Sequence, residues 1–234
     1  MLAKYTLKTG AQPPLVFLHG FLGTAADWNA VVSQLPFHCI AFDLPGHGRS
    51  PFTPDFCKAF LRSTEDLKPF HLIGYSMGGR LSLQFAADHP DNILSLTLLS
   101  THLGLTTAQQ RARRLAKDRD IAQEILKISI DEFLKRWYDQ KLFESLGSKM
   151  DICAMRKNQN CEGLSQAIEA FSLGRQLDFS PQLPRHTHLF VGEFDETYRV
   201  HYRGLPHEVI ENAGHAIHLE HPQAVANALQ RNLL

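Results

Sequence analysis

The sequence predicts an α/β fold in which a mostly parallel, twisted sheet is flanked by helices and carries an all-helical insertion. Short apolar runs alternate with segments of helical periodicity over residues 15–99. Residues 102–180 show only helical periodicity, and the alternation resumes at residue 187. Strands alternating with helices are typical of βαβ units and of a parallel sheet. We therefore expect a core formed by residues 1–101 and 181–234, with residues 102–180 inserted as a lid over the strand ends, where such folds bind ligands.

Each predicted element follows from a local pattern. Buried-strand runs, short and rich in Val, Ile, Leu and Phe, occur at residues 15–18, 38–42, 70–74, 93–99, 187–191 and 208–211. Helical spacing predicts helices over residues 25–35 and 77–88, the second stopped by Pro90. A last helix is expected after Pro222, because proline suits the first turn of a helix.

The composition excludes several classes of protein. The 234 residues carry 24 Lys and Arg against 24 Asp and Glu, whereas a nucleic-acid-binding domain is usually strongly basic. No apolar run is long enough for a membrane span or a signal peptide. The four cysteines form no Cys-x-x-Cys pair, which is typical of free thiols in a reducing compartment. We expect a soluble, cytoplasmic protein, a monomer or small homo-oligomer, with no nucleic-acid partner and no membrane insertion.

The most informative motif is Gly74-Tyr75-Ser76-Met77-Gly78, which lies between a predicted strand and a predicted helix. Gly-x-Ser-x-Gly in that context forms a tight turn that exposes the serine hydroxyl, and the glycines relieve the crowding. The N-terminus of the following helix adds free N–H groups and a positive dipole end. Ser76 is therefore the candidate nucleophile or base.

Serine reacts only when a base takes its proton and an acid orients that base. His215 directly follows the last predicted strand, and Asp195 ends the strand before it. The chain order Ser76, Asp195, His215 is the order of nucleophile, acid and base in α/β hydrolases. Glu193 and Glu196 are the neighbouring alternatives for the acid.

Two backbone amides are candidates for an oxyanion hole, which needs preorganised donors. One is the N–H of Met77, immediately after the serine, and the other is that of Phe21, just past an early strand in His19-Gly20-Phe21. His47 follows another strand end and is expected to be structural.

His215, His218 and His221 recur every three residues, a spacing that could also indicate a metal site. Side chains at that spacing fan around a helix, Pro222 limits any helix there, and no suitable acidic or cysteine ligand accompanies them. We predict no metal and no cofactor.

The His19-Gly20-Phe21, Gly74-to-Arg80 and Ala213-Gly214-His215 motifs resemble the α/β-hydrolase superfamily over nearly the whole chain. The insertion is similar to one branch, the menaquinone-pathway synthases of 2-succinyl-6-hydroxy-2,4-cyclohexadiene-1-carboxylate (SHCHC). The similarity there rests on residues 108–119, Trp137-Tyr138, and Arg156 followed by Asn158 and Asn160.

This resemblance implies a lyase, with an α/β-hydrolase fold, that eliminates pyruvate from 2-succinyl-5-enolpyruvyl-6-hydroxy-3-cyclohexene-1-carboxylate. It implies a small polycarboxylate substrate bound by arginines and enclosed by aromatic side chains. Carried over by position, the triad is Ser76, Asp195 and His215, the carboxylate-binding residues are Arg80, Arg114 and Arg156, and Tyr75 and Trp137 line the pocket. Arg111 and Arg113 are the alternatives to Arg114.

The residues agree with that chemistry, because a guanidinium matches a carboxylate with two parallel hydrogen bonds. Arg80 lies one helical turn beyond Ser76 on the same face. Residues 111–119 hold five basic residues and one acid, so a neutral chain concentrates positive charge there. The simpler interpretations are that Arg111, Arg113, Lys117 and Arg119 form a solvated face, that Trp137 is a core aromatic, and that Tyr75 packs beneath the turn.

Other functions fit part of the pattern. A serine esterase, thioesterase or C–C-bond hydrolase would use the same triad on a small acyl substrate. A ligand receptor with an idle site is disfavoured by the intact Ser76, Asp195 and His215 set. A haloalkane dehalogenase would need Asp in place of Ser76.

Overall fold

The computed structural model describes residues 1–67 and 69–233, which form one seven-stranded sheet with helices around it. The strand order is β1-β3-β2-β4-β5-β6-β7, with β1 antiparallel to β3 and every other pairing parallel. The strands are β1 (Lys4–Lys8), β2 (Ala11–Leu18), β3 (Phe37–Phe42), β4 (Phe70–Tyr75), β5 (Ile93–Leu99), β6 (Thr187–Gly192) and β7 (Glu208–Ile210). The predicted α/β class with a mostly parallel sheet is confirmed.

Most helices match the predicted periodicity, but one needs a correction, and two short helices, Glu196–His201 and Ile217–Glu220, were not predicted. The helices are α1 (Asn29–Val32), α2 (Phe56–Ser63), α3 (Met77–Asp88), α4 (Ala108–Lys127), α5 (Ile130–Tyr138), α6 (Lys149–Arg156), α7 (Cys161–Ala170), α8 (Glu196–His201), α9 (Ile217–Glu220) and α10 (Pro222–Leu233). The helix predicted over residues 25–35 is wrong in its extent. Residues Ala25–Trp28 form a 3₁₀ turn, and α1 adds one further helical turn. Before Pro36, the N–H groups of Gln34 and Leu35 each donate to the carbonyl three residues earlier, so the α-helix does not continue.

The prediction did not include β1, and it started β2 four residues late. Lys4–Lys8 is an edge strand whose side chains alternate between exposed and half-buried, so it lacks the continuous apolar run of a buried strand. The early part of β2 contains Pro13 and Pro14, and its register with β3 shifts between Ala11 and Leu15. Proline cannot donate to a sheet ladder, so this part pairs irregularly.

The sheet is covered on both faces at its centre. Leu15, Val16, Phe17 and Leu18 of β2 are all fully buried, as expected of a strand in a parallel sheet with helices on each side. Along the chain, β3 is added on one side of β2 and β4 on the other. Ligands of such sheets bind at this reversal, beyond the carboxyl ends of the strands.

The elements between β5 and β6 are all helical. α4 begins with a capping box in which Thr107 Oγ1 accepts from the Gln110 N–H while the Gln110 side chain accepts from the Thr107 N–H. α4 packs along α7, and α5 packs on α6. Among the described residues, no helix combines the length and the apolar character that crossing a membrane requires.

Candidate functional site

Ser76 lies on a tight turn between β4 and α3. Its backbone has φ 49° and ψ −109°, a conformation that residues with a side chain rarely adopt. A Cβ on Gly74 would lie 2.5 Å from Ser82 Oγ, and one on Gly78 would collide with the backbone oxygen of His19. The glycines therefore permit the turn, which places Ser76 at the N-terminus of α3 beside the carboxyl end of β2.

Ser76, His215 and Asp195 form a continuous hydrogen-bonded relay. His215 Nε2 lies 3.2 Å from Ser76 Oγ, and His215 Nδ1 lies 2.7 Å from Asp195 Oδ2. Asp195 and His215 are buried, at 3% and 2% exposure. The buried carboxylate fixes the imidazole so that Nδ1 carries a proton and Nε2 faces the serine as a proton acceptor. The structure thus brings together the three residues that the sequence predicts as a triad.

The alternative acids have other surroundings. Glu193 accepts a hydrogen bond from the Asn212 N–H at 2.8 Å, and Glu196 is exposed at the start of α8. The three histidines considered as metal ligands also diverge, since His218 is fully buried and His221 pairs with the Asn212 carbonyl. Across residues 1–67 and 69–233, no cluster of three or more His, Cys, Asp or Glu side chains is arranged to hold a metal ion.

The two residues that carry the predicted donor amides border the same cavity as Ser76. The carbonyl of Gly20 accepts from the Gly23 N–H at 3.0 Å and is paired with His19 Nδ1 at 2.7 Å. Because N–H and C=O point in opposite directions across a trans peptide, the Phe21 N–H is directed away from these partners. The Met77 N–H belongs to the first turn of α3, where amides have no partner within the helix. Phe21 and Met77 both line the cavity above Ser76.

His19 holds this loop in a defined protonation state. Its Nε2 accepts from the Leu44 N–H at 2.9 Å, so the proton of the neutral ring is on Nδ1. Burial lowers the pKa of His19, which keeps the ring neutral. His47 lies edge-on to the His19 and Phe21 rings and pairs with the Pro45 carbonyl, in keeping with its expected structural role.

A cavity of about 140 Å³ separates the strand ends from the helical insertion. It is bordered by nine of the ten predicted site residues: Phe21, Tyr75, Ser76, Met77, Arg80, Arg114, Trp137, Arg156 and His215. Asp195 is behind the cavity wall, where it pairs with His215. The predicted residues therefore converge on one space. They come from the loop after β2, from β4, α3, α4, α5 and α6, and from the loop after β7.

Arg80 is a buried cation in the floor of this cavity. Its Nη1 donates to the Phe171 carbonyl at 2.8 Å, which ties α3 to the end of α7. Burial lowers the pKa of Arg80 to about 10, so the guanidinium stays charged at neutral pH. One hydrogen bond leaves most of the five guanidinium N–H groups available to a ligand.

Arg114 is the arginine of α4 that faces the cavity. Its Nε lies 2.8 and 2.9 Å from the two oxygens of Asp118, one turn along the helix. Arg111 instead donates to the Leu105 carbonyl, and Arg113 is exposed. The geometry of α4 thus selects Arg114 among the three candidates. Lys117 is exposed, as expected of a solvated face, and it also borders the cavity.

Arg156 forms a buried ion pair. Its Nη2 lies 2.7 Å from Asp27 Oδ2, and its Nη1 donates to the Tyr138 hydroxyl. The side chains of Arg156 and Asp27 are 7% and 3% exposed. Within the described part of the chain, Arg156 Nε is buried without a hydrogen-bond partner. Arg156 therefore lies in the cavity wall with its charge compensated by Asp27 and with its Nε nitrogen unpartnered.

Aromatic side chains complete the walls. The Trp137 ring meets Phe21 edge-to-face, with 5.1 Å between centroids, so the insertion contacts the loop that carries one donor amide. Tyr75 is buried, and its ring centroid lies 5.3 Å from that of His215 and 4.3 Å from that of His218. Both residues line the cavity, and both also pack against the core.

Sequence reasoning missed several cavity residues, among them Tyr198, Asp27 and Asp118. The Tyr198 ring lies 4.6 Å from the His215 ring. Asp118 is buried, and besides Arg114 it binds Ser172 Oγ at 2.6 Å. The only signal for Asp118 is its spacing of four residues from Arg114, which is the distance of an ion pair along a helix.

Replacing His218 by phenylalanine is expected to flatten the pH dependence of stability. Burial lowers the pKa of His218 well below its ordinary value, because the fully buried ring packs on Trp28 and Tyr75. As pH falls below about 6.5, the unfolded chain binds a proton at His218 that the folded chain does not, so the free energy of unfolding decreases by up to about 1.4 kcal/mol per pH unit.

Urea denaturation at pH 4.5–7 measures this slope. In His218→Phe, the part of this slope that comes from protonation of His218 in the unfolded chain should be absent. His207→Gln changes an exposed position and should keep the wild-type slope. An unchanged slope in His218→Phe would contradict the assignment of a neutral buried imidazole.

Chemically, the site can move a proton and stabilise an anion beside bound carboxylates. Ser76 and His215 supply proton transfer, the two amides supply donors for a developing oxyanion, and the arginines supply fixed positive charge. These functions require no metal.

Comparison with known proteins places this arrangement in a family. A family model described as alpha/beta hydrolase fold matches residues 13–222. The 2-succinyl-6-hydroxy-2,4-cyclohexadiene-1-carboxylate synthase of Enterobacter sp. (strain 638) is 33% identical over 236 residues, covering 94% of this chain and 92% of that protein. The synthase of the same name from Salmonella agona (strain SL483) is 35% identical over 239 residues, covering 94% of each.

Among solved structures, MenH from S. aureus superposes with a TM-score of 0.88 and 25% sequence identity, covering 99% of this chain and 97% of that one. A thermophilic esterase from Thermogutta terrifontis, with malate bound, has a TM-score of 0.77 at 24% identity, covering 99% and 92%, and shares the fold. The chain therefore belongs to the α/β hydrolase fold family and, within it, to the 2-succinyl-6-hydroxy-2,4-cyclohexadiene-1-carboxylate synthases.

Proposed function

We propose that this protein is a carbon–oxygen lyase of menaquinone biosynthesis, an SHCHC synthase that eliminates pyruvate from 2-succinyl-5-enolpyruvyl-6-hydroxy-3-cyclohexene-1-carboxylate. The observation that carries the proposal is the convergence of the Ser76–His215–Asp195 relay and three arginines on one cavity. A hydrolase needs only the relay and the donor amides. Fixed cations around them suit a substrate with several carboxylates.

In this proposal the substrate carboxylates bind Arg80, Arg114 and Arg156. His215 Nε2 accepts the Ser76 proton, and Ser76 Oγ takes the proton next to the succinyl carbonyl. The electron pair moves onto that carbonyl oxygen, where the Phe21 and Met77 amides stabilise it. As the carbonyl re-forms, a double bond forms between ring atoms C2 and C3, and the existing C3–C4 double bond shifts to C4–C5. The bond from C5 to the enolpyruvyl oxygen breaks with its electron pair, and the released enolate becomes pyruvate after protonation on carbon.

The helical insertion acts as the lid of this site. Arg114, Trp137 and Arg156 all belong to it, so the substrate is bound only when the insertion lies against the strand ends. Enclosure excludes water, which strengthens the ionic contacts and protects the enolate. The reaction is redox-neutral, so we propose that it proceeds without a cofactor. We also propose that the protein acts in the cytoplasm.

Direct assay of pyruvate release tests the function, with Arg114→Ala and Arg113→Ala as a matched pair. Arg113 lies beside Arg114 in sequence but is exposed. Loss of a charge-assisted contact to a carboxylate is expected to lower kcat/KM by about 10- to 100-fold in Arg114→Ala. Arg113→Ala should retain wild-type turnover, and circular dichroism should show both variants folded.

The alternative function is a serine esterase or thioesterase, which would use the same relay and amides. Hydrolysis of p-nitrophenyl acetate distinguishes this alternative from the lyase. The lyase should turn over this neutral ester slowly. Rapid hydrolysis that survives Arg114→Ala and Arg156→Ala, with no pyruvate formed from the enolpyruvyl substrate, would favour the hydrolase.

A further inference from the structure

Tyr198 is held against the acid and base of the relay. It lies in α8, which begins directly after Asp195. Its N–H donates to Asp195 Oδ1 at 3.4 Å, while the other oxygen of that carboxylate pairs with His215. Its ring packs on the imidazole of His215, with 4.6 Å between centroids. Two independent contacts therefore fix the Tyr198 side chain beside the reactive atoms.

Tyr198 borders the same cavity as Ser76. The charges of Arg114 and Arg80 and the hydroxyl of Ser76 lie near enough to lower the pKa of Tyr198. Burial raises the pKa of Tyr198 above its ordinary value, and the two arginines only partly offset this. The phenol is thus protonated at neutral pH and can act as a donor.

We propose that Tyr198 is a positioning residue for Ser76, whose Oγ accepts a hydrogen bond from the Tyr198 hydroxyl. The proton of Ser76 passes to His215 Nε2, Tyr198 keeps its own proton, and the hydrogen bond stabilises the negative charge left on Oγ. This inference rests on the proposed function in assigning Ser76 as the base.

The hydrogen bond has two opposing effects on the rate of proton abstraction by Ser76. It raises the fraction of Ser76 that is ionised, which increases the rate, and it makes the ionised oxygen less reactive, which decreases the rate. For thiolates, reactivity falls only with about the 0.4–0.5 power of basicity. If the Ser76 oxygen follows a similar dependence, the gain in ionised fraction exceeds the loss in reactivity, and Tyr198 accelerates proton abstraction.

Tyr198→Phe tests the proposal, because phenylalanine keeps the ring on His215 and the N–H on Asp195 and removes only the hydroxyl. We would measure the rate of covalent labelling of Ser76 by phenylmethylsulfonyl fluoride, using intact-protein mass spectrometry, and kcat and KM for pyruvate release. The labelling rate and kcat should each fall by about 3- to 10-fold, the effect of one hydrogen bond, while KM stays within about twofold.

Tyr202→Phe is the matched control. The Tyr202 hydroxyl accepts from the Thr101 N–H and donates to the Thr101 carbonyl, each at 2.8 Å, so its loss should lower the melting temperature but leave Ser76 labelling at the wild-type rate. Wild-type labelling of Tyr198→Phe would overturn the proposal, whatever its pyruvate release. If the wild-type protein released no pyruvate, the proposed function would fail, and the labelling comparison would still decide the role of Tyr198.

Discussion

Replacing Ser76 by alanine is expected to lower kcat for pyruvate release by about 10⁴- to 10⁶-fold, the range found when one member of a triad is removed. The relay would then end at His215 Nε2, whose distance to Ser76 Oγ is 3.2 Å, and no oxygen would remain to take the substrate proton. Alanine keeps the N-terminus of α3, so the Met77 amide and the arginines still bind the substrate. Rapid-quench kinetics should therefore show the loss in kcat, and calorimetry should show product binding within a few-fold of wild type.

Ser82→Ala is the control for this variant. Ser82 lies on the same helix and is equally a buried hydroxyl, but it donates to the Gly78 carbonyl at 2.8 Å, away from the cavity. It should retain wild-type turnover. A covalent acyl-Ser76 species trapped with the natural substrate would contradict the assignment of Ser76 as a base and would indicate nucleophilic catalysis instead.

The relay could be predicted because its chemistry depends on short sequence windows. Gly74 and Gly78 identify the turn, since any Cβ there meets neighbouring atoms, and the apolar run before it identifies the strand. Asp195 and His215 lie in the loops that follow β6 and β7, three and five residues after the strand ends. Parallel strands place their carboxyl ends at one edge, so residues 139 positions apart meet at hydrogen-bonding distance.

The remaining residues depend on packing that no local pattern encodes. Asp27 lies in a short 3₁₀ turn and meets Arg156 across 129 positions of sequence, from α6 of the insertion. Tyr198 follows no motif, and its contact with His215 depends on how α8 packs after Asp195. The choice among the arginines of α4 likewise required the helix orientation, because residues three apart, such as Arg111 and Arg114, lie near the same face.

The structure also changes the interpretation of charge in the cavity. The sequence indicates concentrated positive charge, yet Arg114 and Arg156 are paired with the buried carboxylates of Asp118 and Asp27. These acids hold the guanidinium groups in place before substrate arrives, which reduces the entropy lost on binding. At Arg114 and Arg156, a bound carboxylate would add to an existing ion pair, so these two cations are compensated before binding. Arg80 differs, because its hydrogen bond goes to the Phe171 carbonyl and not to a carboxylate.

Arg156→Met is expected to reduce both stability and activity, and a double-mutant cycle with Asp27→Asn separates the two effects. Removing one partner of a buried ion pair leaves the other charge uncompensated, which costs about 3–5 kcal/mol of unfolding free energy. Arg156→Met should show this loss in urea denaturation. The double variant Arg156→Met/Asp27→Asn should recover part of it, about 1–3 kcal/mol, because no unpaired charge then remains buried.

Activity should not follow stability in this cycle. On the proposed assignment, a substrate carboxylate loses its cation in both variants that lack Arg156, so kcat/KM for pyruvate release should stay about 10- to 100-fold below wild type even where stability returns. Asp27→Asn alone keeps the cation and should lose less activity than either. If the double variant regained wild-type kcat/KM together with stability, Arg156 would serve only to pair with Asp27, and substrate binding would rest on Arg80 and Arg114.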